Sequence, residues 1–261
     1  MGENYYNHEE EGAEGAEDAE TGTPGIFHHT HHSQVPVNTR KYFSQRYKIF
    51  SKYDEGVWMT DDAWFGVTPE PVANKIAEHM VKIRPTGKRV LIDAFAGAGG
   101  NAIAFARSGE WDQIFAIEQD PQVLQCAKHN AEVYGVASKI WWYEGDCFQI
   151  IKTKLAQIAK TQAVIFASPP WGGPSYNADK VFDLSTMQPY TLHDLYSFFS
   201  KYTKDVVLYL PRTSDLNQVA RYAPEGRKLE VVHYCALCAY YGDFSYATGW
   251  PVDEDESALQ T

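Results

Sequence analysis

A seven-residue segment, residues 168–174 (SPPWGGP), carries residue types that could hold an amine for chemistry. It follows the apolar run Ala163–Ala167, whose length and composition predict a buried strand. Proline fixes φ near about −65° and has no N–H, so a diproline corner is rigid and presents carbonyls. Trp171 then offers a face on which a nitrogen heterocycle can stack. Its exocyclic amine could donate to the Pro169 carbonyl and the Ser168 hydroxyl, which would turn the nitrogen lone pair toward an electrophile.

A glycine-rich turn elsewhere in the chain has the form of a cofactor site. Residues 89–93 predict a strand, residues 97–100 read GAGG, and residues 101–107 continue at helical spacing. Glycines allow close backbone approach to a ligand, and the following helix N-terminus carries a partial positive charge suited to a carboxylate or a phosphate. Several cofactors fit this pattern alone.

Two acids narrow the choice of cofactor. Asp93 ends the first strand, and Glu118 follows a second predicted strand at 113–117, where an acid binds a ribose diol in dinucleotide enzymes. The glycines do not read GxGxxG, however, and Asp93 would repel a pyrophosphate. S-adenosylmethionine offers an ammonium to Asp93 and a ribose to Glu118 and has no phosphate. Asp146, after a third predicted strand at 140–143, could accept the adenine amine. We therefore expect S-adenosylmethionine as the cofactor and S-adenosylhomocysteine as its product.

Six segments together make the chain resemble one known family. They are residues 41–47 (KYFSQRY), 64–70 (WFGVTPE), 93–101 (DAFAGAGGN), 130–135 (NAEVYG), 168–174 (SPPWGGP) and 210–212 (LPR). Spread over residues 40–244, this combination resembles the trimethylguanosine synthase family of RNA cap guanine-N2 methyltransferases. The resemblance implies two successive methyl transfers to the N2 of a 7-methylguanosine cap on small nuclear and small nucleolar RNAs and, in some lineages, telomerase RNA. It also implies a nuclear protein of the nucleolus or a Cajal-body-like compartment, with small ribonucleoprotein partners.

The resemblance assigns roles to individual residues. Trp171 stacks on the cationic methylated guanine, where cation–π attraction contributes about 1–2 kcal/mol if water is excluded. Ser168 and the Pro169 carbonyl hold N2, so the expected catalytic residues are Ser168, Pro169 and Trp171. The expected cofactor contacts are Thr68, Asp93, Ala94, Gly97, Gly99, Asn101, Glu118, Asp146 and Ser168. The expected cap contacts are Lys41, Phe50, Asp62, Pro170, Trp171 and Arg212, although the family usually has glutamate at the position of Asp62. Catalysis would rest mainly on positioning, because an ordinary serine hydroxyl is a poor general base.

Plainer interpretations stay open for several of these residues. Trp171 could be a core residue, Asp93 a helix N-cap and Glu118 a solvated strand end. The basic and aromatic residues of 40–53 suit a phosphate chain beside a base, but they could also form a solvated helix face. Arg212 could simply pair with Asp215.

Two other functions compete with cap methylation. Diproline corners also serve adenine-N6 and glutamine-amide methyltransferases, but their first residue is usually Asn or Asp, and here it is Ser168. The second alternative is a noncatalytic cap-binding scaffold.

The net negative charge of the chain comes from its two ends. The net charge is −11 over 261 residues, yet residues 1–39 hold eight acids without a base and residues 251–261 hold four, which leaves 22 acids against 23 bases between them. A near-neutral centre does not exclude RNA, and the glutamate-rich ends are typical of disordered segments.

A loose polar loop is expected for His28, His29, His31 and His32. Buried thiols are expected for Cys235 and Cys238, and no metal site is predicted.

The order of elements predicts an α/β fold: a Rossmann-like class I S-adenosylmethionine-dependent methyltransferase with a doubly wound, mostly parallel seven-stranded sheet and a small N-terminal helical extension. We expect a disordered tail over 1–37, the extension over 38–68, the methyltransferase domain over 69–250 and a second tail over 251–261. No segment has the apolar length needed to cross a bilayer, and we expect a soluble intracellular monomer. In such sheets ligands bind beyond the carboxyl ends of the strands. The glycine turn and the SPPW corner both follow strands and should therefore meet at one edge.

Overall fold

A seven-stranded sheet forms the centre of the protein. The computed structural model describes residues 19–20, 23–172, 180–223, 229–234 and 244–248. The strands are β1 Val90–Asp93, β2 Gln113–Glu118, β3 Ile140–Glu144, β4 Ala163–Ala167, β5 Val206–Pro211, β6 Glu230–Tyr234 and β7 Phe244–Thr248. Their order across the sheet is β3-β2-β1-β4-β5-β7-β6. Strands β1 to β5 pair in parallel, and β7 is antiparallel to both of its neighbours.

The sheet reverses its winding between β1 and β4. From β1 the chain moves outward through β2 and β3, and it then returns to place β4 on the other side of β1. Asp93 at the end of β1 lies opposite Phe166 of β4. The Ala94 N–H extends the pairing by donating to the Phe166 carbonyl at 2.9 Å. The turns that follow β1 and β4 therefore begin side by side, at the place where ligands bind in sheets of this kind.

Helices cover both faces of the sheet. They span Glu70–Ile83, Gly100–Ser108, Pro121–Val133, Leu192–Phe199 and Leu216–Ala220, together with a helical run of Cys147–Ile150, the π-helical Ile151–Leu155 and Ala156–Thr161. Alternate residues of β1 enter two different apolar cores: Leu91 packs in one, and Val90 and Ile92 pack in the other. The strands predicted at 89–93, 113–117, 140–143 and 163–167 and the helix predicted over 101–107 agree with the observed elements to within about one residue. Strand β7 spans Phe244–Thr248, and residues 235–243, including Cys235 and Cys238, lie outside the described residues.

The N-terminal extension has an aromatic core of its own. Short helices at Arg40–Phe43 and Arg46–Ile49 and 3₁₀ turns at Tyr53–Glu55 and Asp62–Phe65 enclose side chains that are at most 1% exposed. These side chains are Phe43, Phe50, Tyr53, Met59 and Trp64. The helical extension expected from residue 38 onward is thus present.

Residues 23–37 correct the expectation of a disordered tail. Ile26 and Val35 are each 2% exposed, and the backbone of Phe27 exchanges hydrogen bonds with that of Met59 at 2.8 and 2.9 Å. His29 is buried and lies 3.1 Å from a carboxylate oxygen of Asp61, so the histidine tract is not a loose polar loop. A few apolar residues pack this segment against the extension, although they are too sparse to form a periodic pattern in the sequence.

The extension is attached to the domain through the NAEVYG segment and Glu70. One Glu70 oxygen accepts the Ser51 N–H and the Tyr134 hydroxyl, each at 2.7 Å, and the other accepts from Arg107 at 2.5 Å. The side chain of Asn130 contacts the extension at Trp58. Extension and domain therefore share several hydrogen bonds, of which those of Tyr134 and Asn130 are partly buried.

Candidate active site

A cavity of about 430 Å³ opens beyond the carboxyl ends of β1, β2 and β4. One side, here called the glycine wall, is formed by residues 94–98 with Thr68, Asn101 and Glu118. The other, here called the aromatic wall, is formed by Tyr42, Phe65, Trp171 and Tyr209 together with Asp62 and residues 168–170. The two predicted turns thus line one space, whose volume falls in the range of small-molecule sites.

Glu118 shapes the glycine wall. Its carboxylate accepts the Gly97 N–H at 2.8 Å with one oxygen and the Asp120 N–H at 2.9 Å with the other. Each oxygen can accept a further hydrogen bond, so these contacts do not prevent Glu118 from binding a diol. Glu118 is also part of the cavity lining, which rules out a purely solvated strand end.

The glycines meet two different needs. Gly97 lines the cavity with φ of +53°, a conformation that residues with a Cβ rarely adopt. Gly99 (φ +95°) lies behind the wall, where a Cβ would approach the Cα of Ala127 and the side chain of Ile103 to 3.3 Å. The expected contact of Gly99 with the cofactor is therefore indirect: this glycine lets the turn pack on the helix Pro121–Val133.

Asp93 lies beneath the glycine wall and is fully buried. One carboxylate oxygen accepts the Phe95 N–H at 3.3 Å, and the other has no hydrogen-bond partner among the described residues. Burial raises the pKa of the Asp93 carboxyl to about 7; the Phe95 N–H opposes this shift and the nearby Glu118 adds to it. A buried, half-satisfied carboxylate next to a ligand cavity favours a cation, because a positive group would stabilise its charged form.

Thr68 and Asn101 form a polar pair in the same wall. The Asn101 side-chain N–H donates to the Thr68 hydroxyl at 3.0 Å, and the Asn101 side-chain oxygen is buried with no partner in the described part of the chain. Both residues line the cavity, as expected of cofactor contacts. An amide oxygen without a donor is a ready acceptor for a polar ligand group.

Asp146 is adjacent to the cavity. Its carboxylate caps the helix at Cys147–Ile150 by accepting the Phe148 N–H at 2.7 Å, and its neighbours Gly145 and Cys147 line the cavity while Asp146 does not. The structure therefore gives Asp146 a structural role, and its contact with adenine stays a prediction.

The SPPW corner faces the glycine wall. The Ser168 hydroxyl donates to the Phe95 carbonyl at 3.2 Å, which leaves the oxygen lone pairs as acceptors. Trp171 is half-buried, and its indole N–H donates to the Tyr209 carbonyl at 3.2 Å. Because Trp171 lines the cavity, it is not a simple core residue. Gly173 and Pro174 lie outside the described residues.

The extension supplies the rest of the aromatic wall. The rings of Tyr42 and Phe65 meet edge to face, with centroids 5.5 Å apart, and the exposed Asp62 lines the cavity beside them. The Lys41 ammonium lies 4.8 Å from the centre of the Tyr42 ring. An exposed cation is thus held next to the cavity without being part of its lining.

Two expected cap contacts lie elsewhere. Phe50 is 1% exposed and packs in the core of the extension, with its ring centre 6.2 Å from that of Tyr134, because the short helices fold it inward. The structure does not bring Phe50 to the cavity. Arg212 is exposed and directly follows β5, the strand that carries Tyr209.

Several lining residues were not predicted from the sequence. The aromatic residues among them are Tyr42, Phe65, Phe95, Tyr190 and Tyr209. Tyr42 and Phe65 belong to the KYFSQRY and WFGVTPE segments, which offered a signal. Tyr190 and Tyr209 come from distant parts of the chain and reach the cavity only through the fold.

The residues present fit S-adenosylmethionine. A buried carboxylate suits its ammonium, Glu118 suits its ribose, and the glycine wall contains no lysine or arginine for a phosphate. Among the described residues, no group of three His, Cys, Asp or Glu side chains is arranged to hold a metal ion. No helix in the described ranges has the length and apolarity needed to span a membrane.

Comparison with known proteins connects this site to a family. Residues 88–243 match the model of the RNA cap guanine-N2 methyltransferase family. The chain is 37% identical to the trimethylguanosine synthase of Schizosaccharomyces pombe over 79% of its own length and 87% of the relative's length. It is also 37% identical to the trimethylguanosine synthase of Saccharomyces cerevisiae, over 69% of this chain and 57% of that protein.

Solved structures with low sequence identity share the fold. A putative methyltransferase from Porphyromonas gingivalis superposes with a TM-score of 0.57 at 16% identity, over 82% of this chain and 51% of that one. A putative class I S-adenosylmethionine-dependent methyltransferase from Listeria monocytogenes gives 0.51 at 14% identity, over 84% and 69%. The predicted class I fold is confirmed.

Proposed function

The chain belongs to the RNA cap guanine-N2 methyltransferase family, and on that premise we propose that it methylates the N2 of a 7-methylguanosine cap twice, forming 2,2,7-trimethylguanosine. Membership of this family shows that the protein is an S-adenosylmethionine-dependent enzyme that methylates guanine N2 in capped RNA. The proposal adds the number of methyl groups, the requirement for N7 methylation and the roles of individual residues.

One observation supports this proposal above the others: the glycine wall and the SPPW corner line the same cavity. When bound, S-adenosylmethionine supplies a methyl group on a positively charged sulfur. Asp93, Asn101, Thr68 and Glu118 are the residues that would hold it. Ser168 of the corner contacts the glycine wall at the Phe95 carbonyl, so an amine held at the corner would lie next to the bound cofactor. Holding two reactants in line supplies several kcal/mol of the barrier reduction.

The corner recognises an amine by accepting hydrogen bonds. The Ser168 hydroxyl proton is already donated to the Phe95 carbonyl, and neither Pro169 nor Pro170 has an N–H. The exocyclic N2 of guanine carries two N–H donors, which these acceptors complement. Ser168 thus acts by orientation, and no residue is assigned as a general base.

The aromatic wall selects the N7-methylated ring. Methylation at N7 makes guanine cationic, and a cation over an indole gains about 1–2 kcal/mol where water is excluded. The Tyr209 carbonyl fixes the indole of Trp171 through its N–H, so little rotational freedom is lost when a base stacks. An unmethylated cap lacks this attraction and should bind more weakly.

A cap dinucleotide assay tests the function directly. The protein is incubated with S-adenosylmethionine and either a 7-methylguanosine cap dinucleotide or its unmethylated counterpart, and the products are weighed by mass spectrometry. We expect one and then two added methyl groups on the first substrate and none on the second. Methylation of adenosine in a control RNA, or no methylation of any substrate, would contradict the proposal.

Small nuclear and small nucleolar RNAs, and telomerase RNA where its cap is of this type, are the natural substrates that we propose, with a monomeric enzyme in the nucleus. The support is the segment resemblance together with the relatives' name. Depleting the protein from its cells and sequencing RNA recovered with an antibody to trimethylguanosine should show loss of these RNAs. Unchanged recovery would contradict the assignment.

A further inference from the structure

Asn130 forms hydrogen bonds with two parts of the molecule, the N-terminal extension and the glycine turn. It lies on the helix Pro121–Val133 and is 0% exposed. Its side-chain oxygen accepts the Trp58 N–H at 2.8 Å. Its side-chain nitrogen donates to the Trp58 carbonyl and to the Ala98 carbonyl, each at 3.0 Å. One buried amide therefore bonds the extension and the glycine turn at once.

The partners leave only one orientation of this amide. A backbone N–H can only donate and a backbone carbonyl can only accept, so the oxygen must face the Trp58 N–H and the nitrogen must face both carbonyls. Both N–H donors of Asn130 are consumed, one by each part of the molecule. No other uncharged side chain of this length offers one acceptor and two donors in that arrangement.

The neighbouring residues of the same helix reinforce both contacts separately. On the extension side, the His129 ring stacks on Trp58 with centroids 3.7 Å apart, and its Nε2 lies 2.8 Å from the Gly56 carbonyl. On the turn side, the backbone of Ala127 packs against Gly99 so closely that a Cβ there would lie at 3.3 Å. Asn130 is the residue of this helix for which hydrogen bonds to both sides are described.

Each contact is close to one wall of the cavity. Ala98 is part of the glycine wall. Asp62 is part of the aromatic wall. Trp58 lies four residues before it in the chain, and the buried Met59 and Thr60 lie between them. A ligand that fixes the glycine turn therefore also fixes the Ala98 carbonyl, the Asn130 amide and the start of the segment that leads to Asp62.

We infer that Asn130 is a positioning residue that couples cofactor binding to cap binding, so that each ligand strengthens the binding of the other. This inference rests on the proposed function, because it requires a cap on the aromatic wall. Coupling between two sites is a difference in binding free energy and is reciprocal, and values of about 5-fold to 150-fold are typical. For a single buried amide we expect a factor near the lower end, about 5-fold to 10-fold.

Calorimetry on the full chain measures this coupling without catalysis. The affinity of 7-methyl-GTP is measured with and without saturating S-adenosylhomocysteine, and the reciprocal pair is measured in the same way. The test variant is Asn130→Asp, which retains an acceptor for the Trp58 N–H but turns an oxygen toward both carbonyls. Asn130→Ser is measured in parallel in case the first variant does not fold. The matched control is His129→Ala, which loses an extension contact on the same helix but keeps the Asn130 amide.

We expect the wild type and His129→Ala to show the 5-fold to 10-fold factor and both Asn130 variants to show a factor close to 1. Hydrogen exchange gives an independent measure: S-adenosylhomocysteine should slow exchange over residues 57–62 in the wild type and not in the Asn130 variants. An equal factor in the Asn130 variants and the wild type would overturn the inference, as would a wild-type factor of 1 or unchanged exchange. Absence of any 7-methyl-GTP binding would instead contradict the proposed function, so the two failures are distinguishable.

Discussion

The glycine wall and the aromatic wall of the cavity are built from different kinds of residue. The glycine wall consists mainly of residues 94–98, which directly follow β1, together with Thr68, Asn101 and Glu118, and the fully buried carboxylate of Asp93 lies beneath it. The aromatic wall is assembled from rings that come from four separated segments, and its neighbouring charge, Lys41, is exposed. A binding surface made of backbone depends on the local sequence and is rigid. A binding surface made of side chains from distant segments depends on the whole fold, and single substitutions can alter it.

If the walls are separable, Trp171→Ala should damage only the aromatic one. Loss of stacking and of cation–π attraction removes about 3 kcal/mol, which corresponds to roughly a 100-fold fall in kcat/KM for a 7-methylguanosine cap. Calorimetry should find the affinity for S-adenosylhomocysteine unchanged within about 2-fold. Trp141→Ala is the matched control, because Trp141 is 43% exposed and does not line the cavity. Normal turnover by Trp171→Ala would mean that the indole is not the stacking surface.

Asp93→Asn should instead damage the glycine wall and weaken cofactor binding. Since burial raises the pKa of Asp93 to about 7, the carboxyl is largely protonated below that pH and must ionise to bind an ammonium. Wild-type affinity for S-adenosylhomocysteine should therefore rise as pH increases toward about 7 and level off above it, with a proton released on binding. Asp93→Asn should bind at least about 10-fold more weakly at pH 8 and show no such slope, as measured by calorimetry in two buffers of different ionisation enthalpy. A wild-type affinity that falls with rising pH would exclude this role.

Lys41→Ala should have a smaller effect, and only on the binding of capped RNA. An exposed cation close to the aromatic wall attracts the phosphates of a cap, so its loss should raise KM for capped RNA several-fold at low salt while kcat changes little. The difference from wild type should shrink as salt is added. Lys48→Ala, another exposed lysine of the extension, serves as the control and should change KM less. Equal effects of the two substitutions would assign the attraction to the net charge of the extension rather than to Lys41.

The smallest expected effect concerns the attachment of the two regions. Burial raises the pKa of Glu70, but hydrogen bonds from Ser51, Tyr134 and Arg107 outweigh it and hold the pKa below its ordinary value of 4.5. The stabilisation is therefore present above that pH and is lost as pH falls through the folded-state pKa. Glu70→Gln should lower Tm by about 2–4 °C at pH 7, and the gap should narrow as pH falls through the folded-state pKa. A gap that is constant with pH would show that the ionised form of Glu70 is not what stabilises the attachment.

The sequence was most informative where a signal is local. Apolar runs and glycines indicate the local conformation of the chain directly. They therefore predicted strand β1, the turn after it and the helix at Gly100–Ser108. The same holds for the corner after β4. That these two turns meet followed from a rule about parallel sheets, and the pairing of Asp93 with Phe166 agrees with it.

Sequence reasoning failed where long-range packing decides. Phe50 carries the same local signal as Tyr42, yet one ring is buried in the extension core and the other lines the cavity. Residues 23–37 have too few apolar side chains to form a pattern, and their order comes from single contacts such as that of Phe27 with Met59. No spacing in the sequence indicates which aromatic residues will converge on one point.

Under the proposed function, the corner at Ser168 to Pro170 would also limit the number of methyl transfers. Its hydroxyl proton is already engaged by the Phe95 carbonyl and its prolines have no N–H, so it retains an amine only through the hydrogens that the amine still carries. Each round of alkylation removes one of those hydrogens. A dimethylated N2 has no hydrogen left to donate to these acceptors, so we expect the finished cap to bind the corner more weakly than its precursor does.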